Sequence, residues 1–165
     1  MLKLSKLSDY AAVVMAQIAR EPERPQAAPE LAEEVGVPRP TVSKTLKLLH
    51  KAGLVTSRRG VQGGYQLART PDQISVSDII AAIEGPVAMT ACSYSENECE
   101  LAESCGVSDN WQRVTVAMRQ LLDSVTLAHL AQREPLFITP ARTYAAPASG
   151  ASRASVLVTD ADAPY

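Results

Sequence analysis

The sequence predicts a mainly α-helical fold, on three observations. Apolar residues recur three and four apart rather than alternately, the spacing that buries one face of a helix. Aromatic residues are only 4% of the 165. Alanine and leucine, both good helix formers, are frequent. Strands are expected to be few and short.

The first helix should run from about Ser8 to Arg20, with Leu7, Ala11, Val14, Met15 and Ile18 along one apolar stripe. A proline-containing connector, EPERPQAAPE, leads into a short helix, LAEEVG, that Gly36 can close. Val37 and Pro38 then open a tight turn. The next helix, from Arg39 or Pro40 to Lys51, buries Val42, Leu46 and Leu49, while Lys44, Lys47 and Lys51 share a face at i, i+3 and i+7. A short helix, a turn and a basic helix make a helix-turn-helix. After Ala52 and Gly53, LVTSRR reads as a strand, GVQGG as a glycine-rich turn and YQLAR as the returning strand, a short β-hairpin wing.

Ser75 caps a further helix, Val76 to Ile83, with Asp78 in capping-box spacing, and Gly85-Pro86 stops it. From about Ser108 a long helix begins. Trp111, Val114, Met118, Leu121 and Val125 step alternately three and four residues apart, a seam suited to dimerisation, with packing on the helix's own domain as the alternative. Beyond Arg133 the chain is rich in Ala, Pro, Ser and Thr and lacks apolar periodicity. The predicted organisation is a winged helix-turn-helix over 1–86, a cysteine loop over 87–107, a dimerisation helix over 108–133 and a disordered tail over 134–165.

The formal net charge of −2 conceals an asymmetry. Residues 1–70 hold 11 Lys/Arg against 6 Asp/Glu, and the remainder 5 against 12. From Arg39 to Thr70 there are seven cations and no acid, so double-stranded DNA is the expected partner. Arg39, Thr41, Ser43 and Lys44 are the candidate base readers. Lys47, Lys51 and Arg58 suit phosphate neutralisation, and Arg59 beside the wing turn suits the minor groove. A merely solvated basic face is the alternative.

No apolar stretch approaches a membrane span: Tyr10 to Ala19 is broken by Gln17. Lys3 and Lys6 precede that stretch, but Asp9 intrudes on any signal peptide and the cytoplasm is the expected compartment. No P-loop, dinucleotide fingerprint or nucleophile-base motif occurs, which argues against an enzyme. A protein-interaction module would leave the basic face without a role.

All three cysteines, Cys92, Cys99 and Cys105, fall in one stretch with C-x6-C-x5-C spacing. Three thiolates can hold a metal or an iron-sulfur cluster and leave one position to a weaker donor. Zinc, a metal-free thiol switch and structural cysteines are the alternatives. Glu96, Glu98, Glu100 and Glu103 surround the thiols with negative charge, which lowers the potential expected of a bound cluster. His50 and His129 lack ligand spacing, and Asp109 and Glu103 are outside candidates.

LSDYA near the start, AxELAEEVGVPRPTVSKxLKLLxKAGLV and RGVQGGYQLAR together resemble the winged-helix regulators of the Rrf-two family, typified by IscR and NsrR, over about residues 1–130. ISVSDIIAAIEGPVAMTAC followed by CGVSDNWQRV is most similar to the branch that regulates SUF-type iron-sulfur cluster assembly. The resemblance implies a homodimer on a near-palindromic operator, with Cys92, Cys99 and Cys105 holding a 2Fe-2S or 4Fe-4S cluster. IscR-like members complete the site with a histidine where this chain has Ser108. NsrR-like members use an aspartate near the start of the first helix, supplied by the partner subunit, and the matching residue is Asp9. Asp9 is equally a helix-start carboxylate that needs no metal. The implied function is cluster-sensing control of cluster-assembly genes, with repression by the filled form. Nitric-oxide or redox sensing on the same scaffold is the alternative.

Overall fold

The computed structural model describes residues 3–60, 63–90, 93 and 105–132. Helix α1, Lys6–Arg20, starts ahead of Ser8 because the Ser5 hydroxyl accepts a hydrogen bond from the Ser8 amide at 3.2 Å. That satisfies an N–H which the first turn otherwise leaves orphaned. Ala11, Val14, Met15 and Ile18 are fully buried along one stripe of α1, and Leu7 is half-buried beside them.

Helix α2, Ala28–Val35, begins before Leu31. Pro29 fits a first turn, where its missing N–H costs nothing, and the Glu30 carboxylate folds back to accept from the Ala27 amide. Gly36 closes α2 at φ 67°, in the left-handed region. Helix α3, Arg39–Lys51, buries Val42, Thr45, Leu46 and Leu49.

Strands β1, Val55–Arg58, and β2, Gly64–Leu67, pair antiparallel with Val55 opposite Leu67 and Arg58 opposite Gly64. The hairpin is pinned at its side: Tyr65 donates to the Gln26 carbonyl at 2.8 Å and Gln26 donates back at 3.0 Å. Gly64 permits that approach, since a Cβ there would meet the Gln26 backbone at 2.6 Å. A 3-10 turn, Pro71–Gln73, leads to helix α4, Val76–Glu84, whose capping box pairs Ser75 with Asp78 at 3.0 and 3.1 Å.

Helix α5 spans Ser108–Ser124 and helix α6 Leu127–Ala131. The heptad spacing predicts one helix through residue 133, and the structure breaks it at Val125-Thr126. Two β-branched residues after Ser124 favour extended backbone. The Val125 carbonyl accepts from the Val76 amide at 2.8 Å, and Thr126 bridges Ser75. Thr126 then caps α6, its amide donating to His129 Nδ1 at 3.1 Å. Val125 therefore does not belong to an outward seam. It is 7% exposed in the chain's own interior, and Leu127 behind it is fully buried.

The core is one cluster in which the α1 stripe meets α2, α3, α4 and α6, closed by Leu54 and Val55 at the wing's base and by Ile74. The architecture is a winged helix-turn-helix, with α5 outside the helical core on the end of α4. The predicted tail over 134–165 lies outside the described residues.

Candidate functional site

The burial of α3 sorts its side chains. With Val42, Leu46 and Leu49 inward, Lys44, Lys47 and Lys51 are exposed on the opposite face. Arg58 at the end of β1 and Arg59 after it are also exposed. Among the described residues none of these five forms an ion pair, so their charge is available to phosphate. Thr41 and Ser43 are half-buried at the flanks of α3, and the Thr41 carbonyl accepts from the Thr45 hydroxyl at 2.9 Å. Arg39 differs from the other cations: its guanidinium donates to the Glu33 carboxylate of α2. His50 Nε2 lies 3.4 Å from the Ser57 hydroxyl, joining α3 to the wing.

A second set of contacts runs from α1 to α5. Glu84, the last residue of α4, accepts from the Ser5 amide at 3.0 Å and from the Ser8 hydroxyl. The Ser8 hydrogen bond, and then the Ser5 amide, hold its carboxyl below the usual carboxylate range. Past Gly85 the chain lies along α5, where Arg119 Nε donates to the Val87 carbonyl at 2.6 Å and the Met89 amide donates to Thr115 Oγ1 at 3.2 Å.

Thr115, at 2% exposure, is the buried residue of α5. The apolar seam is left outward: Trp111, Val114 and Leu121 are 41%, 44% and 45% exposed, and Met118 is half-buried. Packing within the chain thus uses Thr115 rather than the seam. A cleft of about 650 Å³ opens beside it, walled by Leu4, the end of α4, Pro86 to Thr90, and Met118, Leu121 and Leu122.

Cys92, Cys99 and the four surrounding glutamates lie outside the described residues. Cys105 is half-buried and forms no disulfide among the described residues, and its carbonyl accepts from the Ser108 amide at 3.3 Å. Asp9 sits exposed in the first turn of α1, its carboxylate without a hydrogen-bond partner among the described residues. A free thiol is the usual donor type of an iron-sulfur site, and a carboxylate an uncommon one. Among the described residues no group of three or more potential metal-binding side chains assembles. Asp109 is exposed at the start of α5, while His129 is spent on the α6 cap.

Three residues of the site escape sequence reasoning. Glu33 and Glu84 look like ordinary surface acids, and the Glu84 contacts span 76 and 79 residues of chain. Gln26 reads as connector, yet it is 1% exposed and holds the wing. For Glu33 a signal existed: an acid in the short helix facing an arginine at the start of the next.

No helix among the described residues is long and apolar enough to cross a membrane. The sequence profile described as Rrf2, Iron-dependent Transcriptional regulator, matches residues 4–133. An IscR transcriptional regulator from Aliivibrio salmonicida is 31% identical over 130 residues, covering 78% of this chain and 77% of that one. The structure of CymR, the global cysteine regulator of B. subtilis, superposes with a TM-score of 0.63 at 32% identity over 79% of this chain and 97% of its own. IscR from T. potens superposes at 0.60 and 33% identity, over 78% and 85%. A basic recognition helix beside a wing, in a chain whose relatives are named regulators of transcription, is DNA-binding machinery and not an enzyme; the chain belongs to the Rrf2 family of iron-dependent transcriptional regulators.

Proposed function

We propose that the chain is a homodimeric, cluster-sensing repressor of iron-sulfur cluster assembly genes, acting in the cytoplasm on a near-palindromic duplex operator. The observation that carries this reading is the meeting of two parts on α1. The recognition helix α3 packs against it, and Glu84, at the root of the segment that leads to the cysteines, grips its N-terminus.

Cys92, Cys99 and Cys105 are the thiolate ligands, and Asp9 of the partner subunit is the fourth donor. A bound 2Fe-2S or 4Fe-4S cluster supplies a labile crosslink that is lost on damage or shortage. The chain's residues do the rest. Arg39, Thr41, Ser43 and Lys44 face base edges, Lys47, Lys51 and Arg58 neutralise phosphate, and Arg59 reaches for the minor groove. Trp111, Val114, Met118 and Leu121 form the dimer seam: contiguous apolar exposure on one helix is the signature of an association surface. Because Glu84 joins Ser5 and Ser8 to the segment along α5, a change in the cysteine loop bears directly on the helix that supports α3.

Anaerobic purification, followed by visible absorption and iron and sulfide analysis, tests the sensor. Charge-transfer bands with near-stoichiometric iron and sulfide support it, and colourless protein that resists reconstitution overturns it in favour of zinc or a bare thiol switch. A second reading, release of DNA when nitric oxide or oxidants damage the cluster, suits a carboxylate-completed site equally well. Operator release on nitric-oxide titration, but not on gradual iron removal, would select it.

A further inference from the structure

We propose that Glu33 is a specificity-determining residue for DNA reading, acting by holding Arg39 out of the phosphate-binding set and presenting it to a base edge. This rests on α3 being the DNA-reading helix.

The three carboxylates of α2 each have a different task. Glu30 pairs with Arg24 at 2.6 Å and caps its own helix through the Ala27 amide. Glu34 accepts from Gln17 Nε2 of α1 at 2.7 Å. Glu33 alone of the three reaches across the turn to the recognition helix, where it takes a hydrogen bond from one terminal nitrogen of Arg39. Arg39 is the first residue of α3, at the positive end of the helix dipole, and the first turn of α3 contains no acid. A cation there is unfavourable, and Glu33 supplies the compensating charge.

Both side chains are open to solvent, 63% and 70% exposed, on the surface that the lysines mark for DNA. The contact uses one edge of the guanidinium, and the remaining N–H donors of Arg39 have no partner among the described residues. A planar fork with free donors and a carboxylate behind it suits bidentate recognition of the O6 and N7 acceptors of guanine in the major groove.

The same carboxylate makes the pair a poor phosphate ligand. Its net charge is near zero, and a backbone phosphate brought up to Arg39 also meets Glu33. Lys47, Lys51 and Arg58, free of ion pairs among the described residues, supply the sequence-independent attraction instead. Glu33 thereby weakens binding to arbitrary DNA more than binding to a site with guanine in register.

The test measures binding of the full chain to a random-sequence duplex by fluorescence anisotropy across a KCl series. It compares wild type with Arg39→Ala, Glu33→Ala, Glu33→Gln and the Glu33→Ala/Arg39→Ala pair, with folding checked by circular dichroism. Wild type and Arg39→Ala should share one slope of log affinity against log salt. Removing the Glu33 charge should steepen that slope by about 0.9 per protomer, as one more cation reaches phosphate, and the double variant should lose the gain. Glu33→Gln opens no cavity, so it decides the matter if Glu33→Ala folds poorly. Selection from a randomised duplex library should enrich a guanine with wild type and lose that preference in Glu33→Gln and Arg39→Ala alike. An unchanged slope in Glu33→Gln, or an Arg39→Ala slope flattened by about 0.9, overturns the proposal. A Lys47→Ala variant with wild-type slope would instead overturn the reading of α3 as the DNA-binding face.

Discussion

Replacing Lys47, Lys51 and Arg58 together by alanine tests the DNA face in the most quantitative way. All three are exposed and form no ion pair among the described residues, so their loss should leave stability nearly unchanged. If each contacts one phosphate, each contributes about 0.9 to the slope of log affinity against log salt, and the triple variant loses about 2.7 per protomer. With binding extrapolated to a common value at ~1 M salt, that is a deficit of roughly 500-fold per protomer at ~0.1 M, shrinking as salt rises. Anisotropy titrations of one duplex from low to high KCl give the slope directly. A triple variant that weakens binding equally at every salt concentration would refute the reasoning, because these three cations would then act through packing or base contacts rather than through counterion release.

Four further outcomes follow from named contacts. Leu127→Ala removes a fully buried side chain of α6 and should cost about 2–5 kcal/mol in urea unfolding; a loss below ~1 kcal/mol would mean that α6 is not part of the cooperative core. Gly64→Ala forces a methyl group onto the Gln26 backbone and should cost about 1–3 kcal/mol and weaken DNA binding, read by thermal unfolding and anisotropy. Glu84 has a lowered folded-state pKa, so its contribution is present above the ordinary carboxylate value near 4.5 and disappears as pH falls through the folded value. The Tm advantage of wild type over Glu84→Gln should therefore hold at neutral pH and vanish in acid, and a gap constant from pH ~7 to ~3 would contradict the assignment. Cys105→Ala should abolish the visible bands of anaerobically purified protein, whereas Asp9→Ala should shift and destabilise them; full colour in Cys105→Ala would remove it from the ligand set.

Much of the fold was legible because its signals are local. Val42, Leu46 and Leu49 alternate with lysines at helical spacing, Gly36 supplies the left-handed cap, and Ser75 with Asp78 writes a capping box into four residues. Two helix starts lie ahead of the apolar periodicity for equally local reasons: Ser5 caps α1, and Pro29 favours the first turn of α2. The break at Val125 was not legible from periodicity. The heptad step continues through Val125, and the decision rests on hydrogen bonds to Val76 and Ile74 that are remote in sequence.

The site divides in the same way. The lysines follow from helical geometry, since burying one face of α3 dictates the other. The pairing of Arg39 with Glu33 and of Glu84 with Ser5 and Ser8 depends on how helices meet, which composition and spacing do not encode. Two of the three cysteines lie outside the described residues, so their arrangement is carried by the sequence pattern and the family.

The bridge between Ser75 and Thr126 makes everything from α4 through α5 a closed insertion whose two roots are adjacent in space. Entry and exit share one hydrogen-bonded step, and α6 re-enters the core immediately afterwards. A segment from a relative could be spliced in at Ser75 and Thr126 without moving the reading head, provided that it restores an acceptor for Ser5 and Ser8 and the α4 side chains, Ile79 above all, that close the core against α1 and α3. A single pair of splice points would then let different signals govern one operator.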